Sequence, residues 1–168
     1  MQLLGTVPLE KLTTSRVWSD LDRESRTLAA RSLYAPGEEK AIREEANLAI
    51  ASALRFRIQA VRKLPVEKRV DYLVRAVRPD DSLAASLLTK LHLNHRSGML
   101  GTFLDELEIP QKDGMIDESV ELEPIEAAKL AAAAGSLRER FPGDEVEIYL
   151  ATLVAMDPEI WQGLSEAP

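Results

Sequence analysis

The sequence contains no cysteine, and only 5% of its 168 residues are aromatic. Disulfide bonds, thiolate nucleophiles and cysteine-ligated metals are therefore excluded, and the absence of cysteine favours a reducing compartment. No apolar run approaches the roughly 18 residues of a membrane span. The opening residues MQLLGTVPLEKL lack the basic start and the long apolar core of a secretory signal. We therefore expect a cytoplasmic protein with no segment in a membrane.

The motifs of common enzyme classes are also missing. There is no glycine-rich phosphate loop, no GxSxG sequence and no zinc-type spacing of ligands. Paired acidic residues such as Glu44-Glu45 and Asp80-Asp81 fall near predicted helix starts, where capping explains them. These absences favour a protein without catalytic activity and predict neither a cofactor nor a bound metal. An enzyme whose site is assembled from dispersed residues remains an alternative.

Apolar residues recur at helical spacing along most of the chain. With 45% apolar and 29% charged residues, the chain can bury a hydrophobic core. We predict a single all-α domain over residues 1–168, a bundle of about seven to nine helices. The motif Leu64-Pro65 with Tyr72-Leu73 recurs as Phe141-Pro142 with Tyr149-Leu150, which would suit antiparallel helix pairs stacked as in an α-solenoid. Such a repeated motif also arises by coincidence among short proline-capped helices.

The stretch from 38 to 64 has the clearest helical pattern. It contains no glycine or proline, begins after Pro36-Gly37 and ends at Pro65. Its apolar residues form two stripes about 100° apart, so neighbours should pack against more than one of its sides. We predict that Glu38–Leu64 is one long central helix, with a length of about 40 Å.

Residues 109–122 lack a helical pattern. Asp113-Gly114 within them is a turn signal. We predict a long non-helical connection here, with a small β-hairpin as the alternative. Long connections in a compact domain are uncommon and often functional.

The two parts of the chain carry opposite charge. Residues 1–96 contain 17 Lys and Arg against 12 Asp and Glu, whereas residues 97–168 contain 4 against 16. The net charges are thus +5 and −12. The plainer interpretation is that the two halves have solvated surfaces of different charge. The more specific interpretation is that the two halves attract each other, within one chain or between chains. Nucleic-acid binding is not favoured, because the acidic half would repel phosphates and few aromatics are available for stacking.

Basic residues cluster on both sides of Pro65, in the predicted central helix and the helix after it. Such a run could bind an acidic protein partner or phosphates, although ordinary solvated residues have the same pattern. The candidates for partner binding are Arg62, Lys63, Lys68, Arg69, Arg75 and Arg78.

Three further residues are candidates for ligand binding. His92 and His95 lie three apart on one predicted helix end, so two imidazoles could serve a metal if carboxylates completed the site. The simpler interpretation has His95 partly buried on the core stripe and His92 beside the last carbonyls of its helix. Arg57 falls between the two stripes of the predicted central helix, where it could bind an anionic ligand. A structural ion pair, or a side chain that reaches solvent, is the simpler account of Arg57.

Taken together, these patterns favour a non-catalytic protein-interaction or scaffold module with a basic N-terminal half and an acidic C-terminal half. Its partner would be another protein or a second copy of the chain. The alternative is a small-molecule or metal-binding protein, including an enzyme, that uses His92 and His95 or Arg57.

Overall fold

Short polar residues begin several of the helices in the computed structural model, which describes residues 3–166. The side chains of Thr13, Asp22 and Asp80 each accept a hydrogen bond from the backbone amide three residues later. Such N-caps satisfy amide groups that have no partner within the helix. The chain accordingly divides into a series of helices, and the prediction of an all-α bundle is confirmed.

Seven helices in the described part of the chain have ten or more residues. These are α2 Arg23–Leu33, α3 Lys40–Leu54, α5 Val66–Arg75, α6 Asp81–His95, α7 Ser97–Glu106, α8 Ala127–Arg140 and α9 Gly143–Met156. The shorter segments are a 3-10 turn Leu9–Lys11, α1 Thr14–Ser19, α4 Ile58–Arg62, α10 Pro158–Trp161 and α11 Gly163–Glu166. Within residues 3–166, no helix combines the length and the apolarity that crossing a bilayer requires.

Helix α6 lies at the centre of the bundle. It packs against α1, α2, α3, α7 and α9, and its Leu83, Leu87, Leu88 and Leu91 are buried. A helix with neighbours on so many sides can bury apolar residues around most of its circumference. The bundle is therefore organised around α6, and the prediction that 38–64 forms the central helix was wrong.

The predicted central helix is interrupted at Arg55. Helix α3 ends at Leu54, and Arg55 adopts a left-handed conformation with a φ of 54°. The amide of Phe56 donates to the carbonyl of Ala51 at 3.0 Å, which is the six-to-one hydrogen bond of a Schellman motif. The chain turns there, and α4 packs against α3. A helix end of this type usually carries glycine, so the arginine gave no signal of the break.

The region that lacked a helical pattern contains both a hairpin and an irregular connection. Strands β1 Gln111–Lys112 and β2 Met115–Ile116 pair antiparallel around the predicted turn. Gly114 in that turn has a φ of 84°, and a Cβ atom there would lie 2.8 Å from the Cβ of Leu100. The turn therefore packs tightly on α7. Residues 117–126 form neither helix nor strand.

Candidate functional site

An open cavity of about 650 Å³ lies between α3 and α5, beside α4 and the C-terminal end of α2. We call it the basic cavity. Its lining residues are Tyr34, Lys40, Arg43, Glu44, Asn47, Arg62, Val66 and Arg69.

One wall of the basic cavity is a polar face of α3. Lys40, Arg43, Glu44 and Asn47 occupy positions i, i+3, i+4 and i+7, which are neighbours along one side of a helix. The apolar residues of α3, such as the buried Ile50, lie at other positions and pack into the core. The helix therefore turns its polar face toward the cavity because its apolar face is anchored.

The floor of the cavity is a hydrogen-bonded cluster of buried polar groups. Tyr34 and Asn47 are only 5% and 4% exposed. The hydroxyl of Tyr34 donates to Oδ1 of Asn47 at 2.8 Å, and Nη1 of Arg69 donates to the same oxygen at 3.5 Å. The Arg69 guanidinium also lies 5.0 Å from the centre of the Tyr34 ring, a cation–π contact. Burial raises the pKa of Tyr34 to about 12, so its hydroxyl stays a donor.

Positive charge dominates the basic cavity. Four of its lining residues are cationic and one is anionic. The carboxylate of Glu44 pairs with Arg62, whose hydrogen bond holds the pKa of that carboxyl below its usual range. Lys40 and Arg43 have no ion pair within residues 3–166, and the buried Nε of Arg69 has no hydrogen-bond partner there. The cavity thus offers cations that form no ion pair in the described structure beside a fixed polar floor, an arrangement that attracts anions.

The candidates for partner binding separate into three groups. Arg62 and Arg69 line the basic cavity. Arg75 and Arg78 line a different cavity of about 540 Å³, which we call the arginine cavity. Lys63 and Lys68 are exposed and line neither cavity. The sequence cluster around Pro65 is therefore not one continuous site.

The arginine cavity has less cationic charge to offer than its composition suggests. It is lined by Arg16 and Arg26 as well as Arg75 and Arg78. However, Arg16 pairs with Asp20, Arg75 pairs with Asp71, and Arg26 donates to a backbone carbonyl at the C-terminal end of α1. Arg78 alone of the four has no such partner in the described structure. The basic cavity is thus the stronger candidate.

The three candidates for ligand binding lie apart. Arg57 is an exposed residue that precedes α4, with an extended ψ of 140°. The expectation that it lies between two buried stripes was wrong, because it required a continuous helix through Arg55. No ion pair engages Arg57 within residues 3–166, and it lines none of the cavities described above.

His92 is buried in the core and faces α9. Its Nε2 lies 3.0 Å from Oγ1 of Thr152, whose hydroxyl already donates to the carbonyl of Ile148 at 2.7 Å. Nε2 must therefore be the protonated nitrogen, and Nδ1 is a buried lone pair without a hydrogen-bond partner among the described residues. Burial, with a smaller contribution from Arg96, lowers the pKa of His92 to about 3.

His95 is exposed and faces α2. Its Nε2 lies 2.9 Å from Oγ of Ser32. The expected burial of the two histidines is thus reversed, since His92 is the one in the core. Their rings bond to different helices, so the structure does not join them in one site. Within residues 3–166, no group of three or more His, Asp or Glu side chains is arranged to hold a metal ion.

Of the eight residues that line the basic cavity, the sequence identified only Arg62 and Arg69 as candidates. A polar stripe at helical spacing could have identified three more of them, since Lys40, Arg43 and Asn47 share one side of the helix with Glu44. The sequence pattern had drawn attention only to the apolar stripes of this helix. Tyr34 gave no such signal, because its position beside Asn47 depends on how α2 packs. No protein-family model, curated protein or solved structure matches the chain.

Proposed function

We propose that the protein is a non-catalytic interaction module that binds an acidic segment of a partner protein in the basic cavity. The observation that carries this proposal is the convergence of three cationic side chains, none of them ion-paired among the described residues, on a buried Tyr34–Asn47 floor. Opposite charge would guide the partner into place, and Arg69, held against this floor, would help to set its orientation. The absence of cysteine suits an interaction that takes place in the cytoplasm.

The shape of the cavity supports a peptide-like ligand. It is open to solvent along the surface, and the exposed side chain of Val66 forms part of its rim. A segment of chain could place carboxylates against the cations and an apolar side chain against Val66. Such interfaces combine a polar periphery with a few apolar contacts.

The ionisation of the lining residues supports binding without catalysis. General acids and bases work best when their pKa lies near the working pH. In the basic cavity the pKa of Tyr34 is raised to about 12 by burial, and that of Glu44 is lowered by the hydrogen bond from Arg62. Both shifts lead away from neutral pH, so these groups are suited to holding a fixed charge state.

The proposal can be tested with a fluorescent peptide that contains several glutamates. We expect Lys40→Glu combined with Arg43→Glu to weaken binding about tenfold or more, since two attractive contacts become repulsive. Neither residue makes an ion pair in the described structure, so the fold should be retained. Fluorescence anisotropy measures the affinity, and binding should also weaken at about 0.5 M salt.

The matched control is Lys63→Glu combined with Lys68→Glu. It changes the net charge by the same amount at exposed positions outside the cavity. Near-normal binding by the control would locate the site in the basic cavity. Equal losses in both double variants would show non-specific attraction and would refute the proposal, as would unchanged binding in the cavity variant.

A further inference from the structure

Little of the charge in the two halves is neutralised between them. The ion pairs between described residues join partners within the same half, with the single exception of Arg96 and Glu145 at 3.9 Å. The opposite charges of the two halves are therefore largely available to another molecule.

The irregular connection at 117–126 displays a row of carboxylates. Glu118, Glu121, Glu123 and Glu126 are exposed and form no ion pair within residues 3–166. We call them the acidic ridge. Glu121 and Glu123 alternate with inward, partly buried positions along the chain, the period-two pattern of an extended segment. The acidic side of the segment therefore faces outward.

The backbone of this segment is presented much as a bound peptide would be. It is attached near both ends by backbone hydrogen bonds. The amide of Asp117 donates to the carbonyl of Pro110, and the amide of Ile125 donates to the carbonyl of Ile160. Between these anchors, the amides of Glu121 and Glu123 donate no backbone hydrogen bond in the described structure. No hydrogen bond or ion pair among the described residues joins the segment to the basic cavity of its own chain.

We propose that the acidic ridge of one copy binds in the basic cavity of a second copy. This inference rests on the proposed function and names the partner. Residues two apart in an extended chain, such as Glu121 and Glu123, are about 7 Å apart. Lys40 and Arg43, three apart on a helix, have Cβ atoms about 5–6 Å apart. The long side chains can bridge this small difference, so each carboxylate can meet a cation.

The ridge and the cavity are different surfaces of the chain, so two copies can make this contact twice in a closed twofold dimer, or each copy can make it with a different neighbour. The second, head-to-tail arrangement produces rings or open chains of copies, whereas the first closes at a dimer. Assembly should therefore depend on protein concentration, and it should weaken with salt because the charges are exposed.

The test uses two variants that each remove one side of the interface. Lys40→Gln with Arg43→Gln neutralises the cavity, and Glu121→Gln with Glu123→Gln neutralises the ridge. Neutral substitutions avoid creating a reversed pair that could still attract. Sedimentation velocity at low salt should show association of the wild-type chain, and each variant alone should associate at least about tenfold more weakly.

A mixture of the two variants gives the decisive result. One intact cavity and one intact ridge remain, so the mixture should stop at a one-to-one complex. The matched control is Glu139→Gln with Glu159→Gln, which removes two exposed carboxylates elsewhere and should associate as the wild type does.

The outcomes separate this inference from the proposed function. A monomeric wild-type chain that still binds the acidic peptide through its cavity would overturn self-association and leave the proposed function intact. Association that requires the cavity but not the ridge would overturn the ridge as the occupant. Failure of both peptide binding and association would overturn both proposals.

Discussion

The burial of His92 predicts that the protein becomes less stable as the pH falls below 6.5. Its folded-state pKa is lowered from 6.5 to about 3, mainly by burial. Between these values the unfolded chain binds a proton that the folded chain does not bind. The free energy of unfolding therefore falls by about 1.4 kcal/mol per pH unit in this window. From about pH 8 to about pH 5 the expected loss is about 2 kcal/mol.

The structure gives the reason that the folded protein rejects this proton. Nε2 of His92 already carries a hydrogen, which it donates to Thr152, so a second proton would have to enter at Nδ1. Nδ1 is buried and has no hydrogen-bond acceptor near it in the described structure. Arg96, which directly follows α6, adds a repulsive positive charge. A buried charge without a partner is costly, so unfolding is favoured instead.

Urea unfolding followed by circular dichroism between about pH 8 and about pH 5 measures the effect. Keeping the pH above about 5 limits interference from carboxylates, which titrate lower. His92→Gln removes the titrating group, so its stability should vary with pH by about 2 kcal/mol less than that of the wild type. His95→Gln is the matched control, because His95 is exposed, and it should keep the wild-type slope.

The comparison of slopes is independent of the stability that His92→Gln itself loses. If the curves of the wild type and His92→Gln run parallel from pH 8 to pH 5, then His92 accepts a proton in the folded state. The buried geometry around Nδ1 would then be wrong. A change of slope in His95→Gln instead would assign the pH dependence to the exposed histidine.

Two further predictions concern backbone conformation, and chemical denaturation measures both. Arg55→Gly should raise the free energy of unfolding by about 0.5–1 kcal/mol, because glycine accepts the left-handed conformation that strains arginine. Ser52→Gly, at an exposed position inside α3, is the control and should lower the free energy of unfolding by a similar amount. A loss of stability in both variants would contradict the reasoning. Gly114→Ala should cost about 2–4 kcal/mol, because its Cβ would meet Leu100 at 2.8 Å in a left-handed turn. Gly98→Ala on α7 has open space and should stabilise by about 0.5–1 kcal/mol; equal effects at the two glycines would be incompatible with this packing.

Features encoded by neighbouring residues were predictable from the sequence. The helix predicted after Pro65 is α5, where Pro65 precedes the first turn and Leu73 and Val74 face the core. Asp80 caps α6 through its own side chain. The signals for these elements, proline, a short polar cap and an apolar stripe, all lie within a few residues. Stacking of antiparallel pairs as in a solenoid stays a prediction.

Features that depend on distant packing were not predictable. The sequence places His92 and His95 on one helix end, but α6 is surrounded, so its pattern does not show which of them faces the core. That choice is made by α9, which brings Thr152 to His92 from 60 positions away. In the same way, Arg62 and Arg69 were identified as candidates, whereas Tyr34 joins them only through tertiary packing.

The break at Arg55 is what creates the basic cavity. In one continuous helix, the 18 positions between Glu44 and Arg62 would separate them by about 27 Å along the axis. Their side chains form an ion pair, which is achievable only because the chain turns after Leu54 and α4 packs against α3. The wrong prediction of a long helix therefore also concealed the meeting of Arg62 with Glu44. A single strained residue outside the cavity sets the position of Arg62 within it.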